Sequence, residues 1–285
     1  MPRLLAIGFG YVATALHQRL MRDQWHVTAT SRTHHPDADG ISYVQWASPD
    51  PLPTHLFADI DAVVVSVSPG AEGCPAARAM PDISLGDVPV LYLSSTGVYG
   101  DFDGDWVDET SPCEPGTQRG YHRLDAEEQW QAFCTDHGGR LHICRLAGIY
   151  GPGRSAIDRL LSGDATPRII KPGQVFNRIH VDDIANGLAA LIRTPEAPTV
   201  INFADDEPAP PQDVIAWAST LLHRPLTPEV PFEDAELSAM ARSFYQDNKR
   251  LKNDRLKTVA GPLLYPTYRE GLAAVLRQRI ESGAS

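Results

Sequence analysis

Two short segments in the first third of the chain carry residue types that could bind a nucleotide and act on an oxygen atom. The first is the glycine-rich stretch GFGYVA, which runs from Gly8 to Ala13. The second is SSTGVYG, in which the hydroxyls of Ser95 and Thr96 could hydrogen-bond a reacting oxygen. A hydroxyl at the end of a strand also commonly caps the turn that follows. Both roles are therefore open for Ser95.

Tyr121 is a third candidate, but its neighbour four residues on is unexpected. A phenol exchanges protons near neutral pH when a nearby cation, such as a lysine one helical turn away, lowers its pKa. Here the residue at that spacing is Asp125. A carboxylate raises the pKa of a nearby phenol instead. Tyr121 is thus a candidate proton donor without the lysine that this role needs.

The GFGYVA segment indicates a dinucleotide cofactor. It connects an apolar run at 4–9 to a helical pattern at 11–23. In such a strand–turn–helix unit, Gly8 permits the tight turn, and Gly10 lets the backbone approach a pyrophosphate at the helix N-terminus. Ala13 allows the helix to pack closely on the strand. The predicted cofactor-binding residues of this loop are Gly8, Gly10, Tyr11, Val12 and Ala13.

The end of the second predicted strand indicates which dinucleotide binds. A carboxylate at this point would bond the ribose hydroxyls of NAD. The chain instead has Ser31 and Arg32, a hydroxyl and a guanidinium suited to a 2′-phosphate. This favours NADP over NAD, although Arg32 could equally be a solvated surface arginine. Ser66, near the end of the fourth predicted strand, could line the adenosine side or cap the next turn.

Short apolar runs alternate with longer helical patterns, which is typical of a parallel sheet with helices on both faces. The predicted strands are 4–9, 26–31, 41–46, 61–68, 89–95, 140–150 and 199–204, and the clearest helices are 11–23, 124–137 and 182–193. We therefore predict an α/β, Rossmann-type doubly wound fold with a smaller C-terminal substrate lobe. In this division, an NAD(P)-binding domain contains 1–150 plus 178–204, and the substrate-binding lobe contains 151–177 and 205–285.

Composition argues against several classes of partner. With 36 acidic and 25 basic residues, a net charge of -11 and no basic run, the chain is not expected to bind nucleic acid. No apolar run has the length of a membrane span, and glycines interrupt the first one, which favours a buried strand over a signal peptide. The four cysteines are scattered without a CxxC pair, which is typical of reduced thiols in a cytoplasmic protein. We expect a small-molecule substrate and no metal.

Three further motifs follow the glycine loop in a single order. They are SSTGVYG, RLAGIYGPG at 145–153 and RIHVDDIA at 178–185. With them the chain resembles the extended, here atypical, short-chain dehydrogenase/reductase family, the NAD-dependent epimerase/dehydratase group, from Gly8 to YREGL at 268–272. The resemblance implies a Rossmann lobe that binds NAD(P), a substrate cleft between two lobes, and Ser95 as the catalytic hydroxyl. It also implies a homodimer, by family analogy alone.

The chain departs from this family where the catalytic tyrosine and lysine are expected as YxxxK. If the acidic residues of the AEE segment are used for alignment, the lysine position falls on Arg123 or Leu124. The tyrosine position then falls on Arg119 or Gly120 rather than on Tyr121. Arg123 could supply a fixed positive charge near the nicotinamide ribose, but an arginine stays protonated and cannot cycle protons.

A second departure concerns the substrate. Phe176 stands where sugar-nucleotide epimerases commonly place a diphosphate-binding arginine. We therefore predict an epimerase/dehydratase-like oxidoreductase that acts on a small polar or carbohydrate-like substrate, with Ser95, Thr96 and Tyr121 as catalytic candidates. The alternative is an NADP(H)-binding sensor or regulatory protein of the same fold, impaired in catalysis by the missing lysine.

Overall fold

The computed structural model describes residues 1–37, 40–163 and 167–283. The strands are β1 (Arg3–Ile7), β2 (His26–Ser31), β3 (Ile41–Gln45), β4 (Ala62–Val65), β5 (Gly86–Ser95), β6 (Trp106–Val107), β7 (Gly138–Leu146), β8 (Gly148–Tyr150), β9 (Arg168–Ile170), β10 (Arg178–His180), β11 (Val200–Phe203), β12 (Glu229–Pro231) and β13 (Arg250–Leu251). The helices are α1 (Tyr11–Met21), α2 (Pro75–Arg78), α3 (Gln118–His137), α4 (Ala156–Leu161), α5 (Val181–Arg193), α6 (Pro211–Leu221), α7 (Ala239–Ser243), α8 (Asp254–Ala260) and α9 (Tyr268–Glu281).

Seven parallel strands form the central sheet in the order β11–β7–β5–β4–β1–β2–β3. Successive side chains of a strand face opposite sides, so Leu4 joins the core under α1 and α5 while Leu5 joins the core under α3. The predicted Rossmann-type doubly wound α/β fold is confirmed. The strand order reverses at β1, between β2 and β4, and ligands of such sheets bind beyond the carboxyl ends at this point.

A smaller apolar cluster lies outside the two faces of the sheet. It joins α4, α6 and α9 through side chains such as Leu160, Val214 and Leu272. Within 205–285, however, α8 packs against α5 and β11, and its Leu256 belongs to the core of the sheet. The division of the chain into two lobes stays a prediction.

The start of α3 differs from the sequence prediction. The helix begins at Gln118, six residues before the predicted 124. Thr117 caps it, because its side-chain oxygen accepts a hydrogen bond from the amide of Gly120 at 3.2 Å. Glycine is a poor helix former and the first turn has no apolar periodicity, so the sequence pattern did not reveal this turn. Tyr121 therefore lies inside the first turns of α3.

Candidate functional site

The turn after β1 requires glycine at its first position. Gly8 has a φ of 85°, and a Cβ there would lie 2.8 Å from Ser66 Oγ. Thr30 Oγ1 accepts a hydrogen bond from the Gly8 amide, and Ser66 Oγ donates one to the Gly8 carbonyl, both at 2.9 Å. The side chains at the ends of β2 and β4 thus hold the turn in place, and one of them is the predicted site residue Ser66.

The N-terminus of α1 lies open beside this turn. Gly10 is exposed, and no atom lies within 4 Å of the position that its Cβ would occupy. It occupies the N-cap position without a side-chain hydrogen bond to the first turn, so backbone N–H groups there are available to a ligand. Val12 and Ala13, in the first turn of α1, are buried. The space and the donors fit the pyrophosphate of a dinucleotide.

Tyr11 connects this loop to the segment after β8. Its hydroxyl donates a hydrogen bond to the Pro152 carbonyl at 3.0 Å. Burial, assisted by the charge of Asp182, raises the pKa of Tyr11 to about 12. The Arg154 guanidinium lies 5.8 Å from the centre of the Tyr11 ring. Tyr11 is thus a neutral phenol that bridges two segments.

The end of β2 presents Arg32, whose side chain has no partner in the described part of the chain. Ser31 Oγ accepts a hydrogen bond from the Thr33 amide at 3.3 Å. Arg32 is exposed, and its guanidinium makes no hydrogen bond or ion pair with any residue that the structure describes. All five of its N–H donors are therefore free to bind a phosphate.

Ser95 caps a turn and keeps its proton available. Its Oγ accepts a hydrogen bond from the Gly97 amide at 3.2 Å, at the start of the short turn Thr96–Val98. Because a hydroxyl can donate while it accepts, the O–H of Ser95 can still bond a ligand oxygen. The capping role and the catalytic role are compatible. Thr96 is partly buried in the same turn.

Helix α3 turns one face towards this turn and the opposite face away. A Cβ on Gly120 would lie 2.7 Å from the Gly97 carbonyl oxygen, so the helix packs directly on the Ser95 turn. Tyr121, one residue on, is 52% exposed and shares the outer face with the exposed Asp125. Successive residues of a helix differ by about 100° in direction. Tyr121 therefore points about 100° away from the direction of Gly120, and among the described residues no hydrogen bond joins it to Ser95.

Arg123 lies on the inner face of α3, at the carboxyl ends of two strands. Its guanidinium donates hydrogen bonds to the Leu93 carbonyl at 2.7 Å and to the Tyr92 hydroxyl at 3.3 Å. It also donates to Ser68 Oγ, just beyond β4, at 3.4 Å. Leu124, the alternative at the lysine position, packs against the apolar core. Arg123 therefore places a positive charge near the carboxyl ends of β4 and β5.

A buried ion pair that the sequence prediction missed fixes α3 against the sheet. Arg145 of β7 donates to both carboxylate oxygens of Glu127, the shortest contact being 2.7 Å from Nη2, and the two side chains are 7% and 4% exposed. Ser94 Oγ donates to Glu127 at 2.5 Å, and Arg145 stacks 4.8 Å from the Tyr99 ring. Burial alone would lower the pKa of Arg145, but the hydrogen bonds and negative charge of Glu127 have the larger effect and raise this pKa. The sequence did contain a signal for this pair: Arg145 lies inside the apolar run of 140–150, and a buried charge needs a buried partner.

Two absences hold for the described part of the chain. No group of three or more His, Cys, Asp or Glu side chains there could hold a metal ion. Over those same residues, every helix is too short or too polar to cross a membrane.

Phe176, at the position expected for a diphosphate-binding arginine, packs against the Tyr245 ring at 5.1 Å.

The chain belongs to the NAD-dependent epimerase/dehydratase family, whose model matches residues 7–204. A comparison with curated protein sequences found no match. Among solved structures, a functionally unknown conserved protein from Silicibacter pomeroyi DSS is 43% identical, with coverage of 98% of this chain and 99% of that one and a TM-score of 0.85.

Two more distant structures share the fold. MoeE5 in complex with UDP-glucose and NAD is 20% identical, with coverage of 99% and 100% and a TM-score of 0.80. Human epimerase family protein SDR39U1 (isoform 2) with NADPH is 17% identical, with coverage of 96% and 99% and a TM-score of 0.75. Neighbours of this fold therefore bind NAD in one case and NADPH in another.

Proposed function

We propose that the chain is an NADP(H)-dependent, epimerase/dehydratase-like oxidoreductase that acts on a small polar or carbohydrate-like substrate. The open Gly10 position at the uncapped N-terminus of α1 carries this proposal. Beside it, the Gly8 turn is held by hydrogen bonds from both sides. A preformed turn next to free backbone N–H groups suits a pyrophosphate.

Arg32 supports NADP over NAD. Its guanidinium follows β2, the strand whose end approaches the adenosine ribose in this fold, and it is free of carboxylate partners among the described residues. Charge-assisted bonds to a 2′-phosphate would satisfy donors that otherwise face water. The neutral hydroxyl of Ser31 next to it adds no repulsion.

In the proposed reaction, a dinucleotide held by the Gly10 turn and Arg32 would supply hydride chemistry at C4 of its nicotinamide. Ser95 donates its O–H to the substrate oxygen while the Gly97 amide holds its Oγ, and Thr96 adds a second hydroxyl. Arg123 supplies a fixed positive charge at the strand ends that stabilises negative charge on that oxygen. Because Arg123 keeps its proton and Tyr121 lies on the outer face of α3, we assign the proton transfer to a bound water.

Titration with NADPH and NADH, followed by nicotinamide fluorescence, tests the cofactor. Arg32→Ala should weaken NADPH binding by roughly 10- to 100-fold, the loss of one or two charge-assisted hydrogen bonds, and leave NADH affinity nearly unchanged. Arg277→Ala, an exposed arginine of α9, is the matched control. If the unaltered protein binds neither dinucleotide, the proposal fails.

Turnover separates the enzyme from its alternative, an NADP(H)-binding sensor or regulatory protein. Two observations favour the sensor or regulatory protein: Tyr121 lies on the outer face of α3, and the residue four positions after it is Asp125 instead of a lysine. NADPH consumption over a panel of aldehydes, ketones and sugar nucleotides should be lost in Ser95→Ala and kept in Tyr121→Phe. Binding of NADPH without consumption on any of these substrates would support the sensor.

Cellular location and assembly are secondary parts of the proposal. All four cysteines are free thiols, which is compatible with a reducing cytoplasm. Family analogy alone suggests a homodimer. Light scattering of the purified protein would measure the assembly directly.

A further inference from the structure

We propose that Arg119 binds an anionic group of the substrate, a carboxylate or a phosphate, and so determines the substrate class. This inference rests on the proposed function. Arg119 immediately precedes Gly120, whose close packing against the Gly97 carbonyl brings α3 onto the turn that Ser95 begins. Arg119 also lies one helical turn before Arg123 and shares its face of α3, and the Arg123 guanidinium contacts the carboxyl end of β5, the strand that Ser95 ends. Tyr121 shares the other face with Asp125. We therefore place the ligand group between Ser95 and Arg119.

The C-terminal part of the chain holds the Arg119 guanidinium at this place. Nη2 donates a hydrogen bond to Ser243 Oγ at 3.0 Å, and the guanidinium carbon lies 4.6 Å from the centre of the Phe244 ring. Ser243 Oγ is itself oriented, because it donates to the Met240 carbonyl at 2.8 Å. These contacts position the guanidinium but use one of its five N–H donors. Four donors remain for a ligand.

Arg119 carries a charge that no carboxylate in the described part of the chain neutralises. Among the described residues, neither Arg119 nor Arg123 has an acidic oxygen within ion-pair distance, although the chain carries 36 acidic and 25 basic residues. The two arginines are four residues apart on α3, where like charges repel. Arg119 also lies in the first turn of α3, which has no acidic residue and where the backbone dipole disfavours cations. An anion from outside would relieve both effects.

Arg119 is better suited to this role than Arg123. The Arg123 guanidinium already binds the Leu93 carbonyl, the Tyr92 hydroxyl and Ser68 Oγ at the strand ends. Arg119 is exposed on α3, and its guanidinium contacts α7. The buried Glu127 and the packing of the partly buried Leu124 against the core favour the alignment that puts Arg119 at the family's tyrosine position.

Paired substrates and three variants test this role. With NADPH, the unaltered protein should prefer glyoxylate over the neutral glycolaldehyde. Arg119→Gln should raise the KM for glyoxylate by roughly 10- to 100-fold and change kcat/KM for glycolaldehyde by less than about 2-fold, because only the anion loses charge-assisted bonds. Arg119→Lys should recover part of the loss, and Arg277→Gln should change neither substrate.

Calorimetric titration of the NADPH-saturated protein with glyoxylate, D-glucuronate and inorganic phosphate gives a second measurement. Binding that disappears in Arg119→Gln supports the inference, and the arm that binds distinguishes carboxylate from phosphate. An equal loss for charged and neutral substrates, or no binding of any of these anions to the unaltered protein, overturns it. If the proposed function is wrong, the protein will not bind NADPH, which is a separate result. In that case the same anion titrations, carried out without NADPH, test whether Arg119 binds an anion.

Discussion

Replacing Glu127 by glutamine should destabilise the protein by about 3–5 kcal/mol, because it removes one partner of a buried ion pair. The carboxylate is 4% exposed and receives hydrogen bonds from Arg145 and Ser94. Glutamine has nearly the same shape, so the packing of α3 on the sheet is retained while the charge of Arg145 loses its counterpart. The loss would then report electrostatics and hydrogen bonding rather than a cavity.

The size of this effect is large against the total stability of a protein. A typical free energy of unfolding is about 5–15 kcal/mol, so the substitution would remove a substantial part of it. Replacing both partners, as in Glu127→Leu with Arg145→Met, should cost much less than the single change, since no uncompensated charge is left in the core. The double variant would still leave Ser94 without its acceptor, at a cost of about 1 kcal/mol.

Urea denaturation followed by circular dichroism measures these differences. With a denaturant dependence of about 3 kcal/mol per M, the midpoint for Glu127→Gln should fall by about 1 M or more. Glu128→Gln, at the exposed neighbouring position, is the control and should change stability by less than about 0.5 kcal/mol. A loss below about 1 kcal/mol in Glu127→Gln, or a double variant less stable than the single one, would refute the reasoning.

Three further changes have defined outcomes. Gly8→Ala imposes a left-handed backbone on alanine and puts its Cβ 2.8 Å from Ser66 Oγ. The free energy of unfolding, measured by thermal unfolding, should therefore fall by about 1–2 kcal/mol, and NADPH binding, measured by fluorescence, should be weaker. Gly120→Ala brings a Cβ to 2.7 Å from the Gly97 carbonyl oxygen, so α3 must shift and NADPH consumption should fall. The control is Ala132→Ser on the exposed face of α3, which should leave NADPH consumption unchanged. Burial raises the pKa of Asp183 to about 6, so this carboxyl should lower the free energy of unfolding by about 2 kcal/mol between pH 4 and pH 6, because the unfolded chain ionises first. Urea titrations across this range should show a fall that is smaller by this amount in Asp183→Asn.

Most of the sheet could be predicted from the sequence because its strands are apolar runs bounded by glycine, proline or polar turns. The prediction for β2 at 26–31 matches the observed bounds, and β3 ends one residue earlier than predicted. The run at 140–150 was less clear. It divides after Leu146, so that β7 stays in the central sheet while β8 pairs with β10. An apolar pattern shows that both parts are buried, but it does not show which strand each will pair with.

The sequence by itself determined the glycine turn, the doubly wound sheet and the family, since each depends on local residue types in a fixed order. The tertiary structure decided which face of α3 meets Ser95. Because each residue turns a helix by about 100°, a register uncertain by one or two residues could not say whether Tyr121, Arg119 or Arg123 pointed inward. The packing of Gly120 on Gly97 settles that orientation and places Tyr121 and Asp125 together on the outer face.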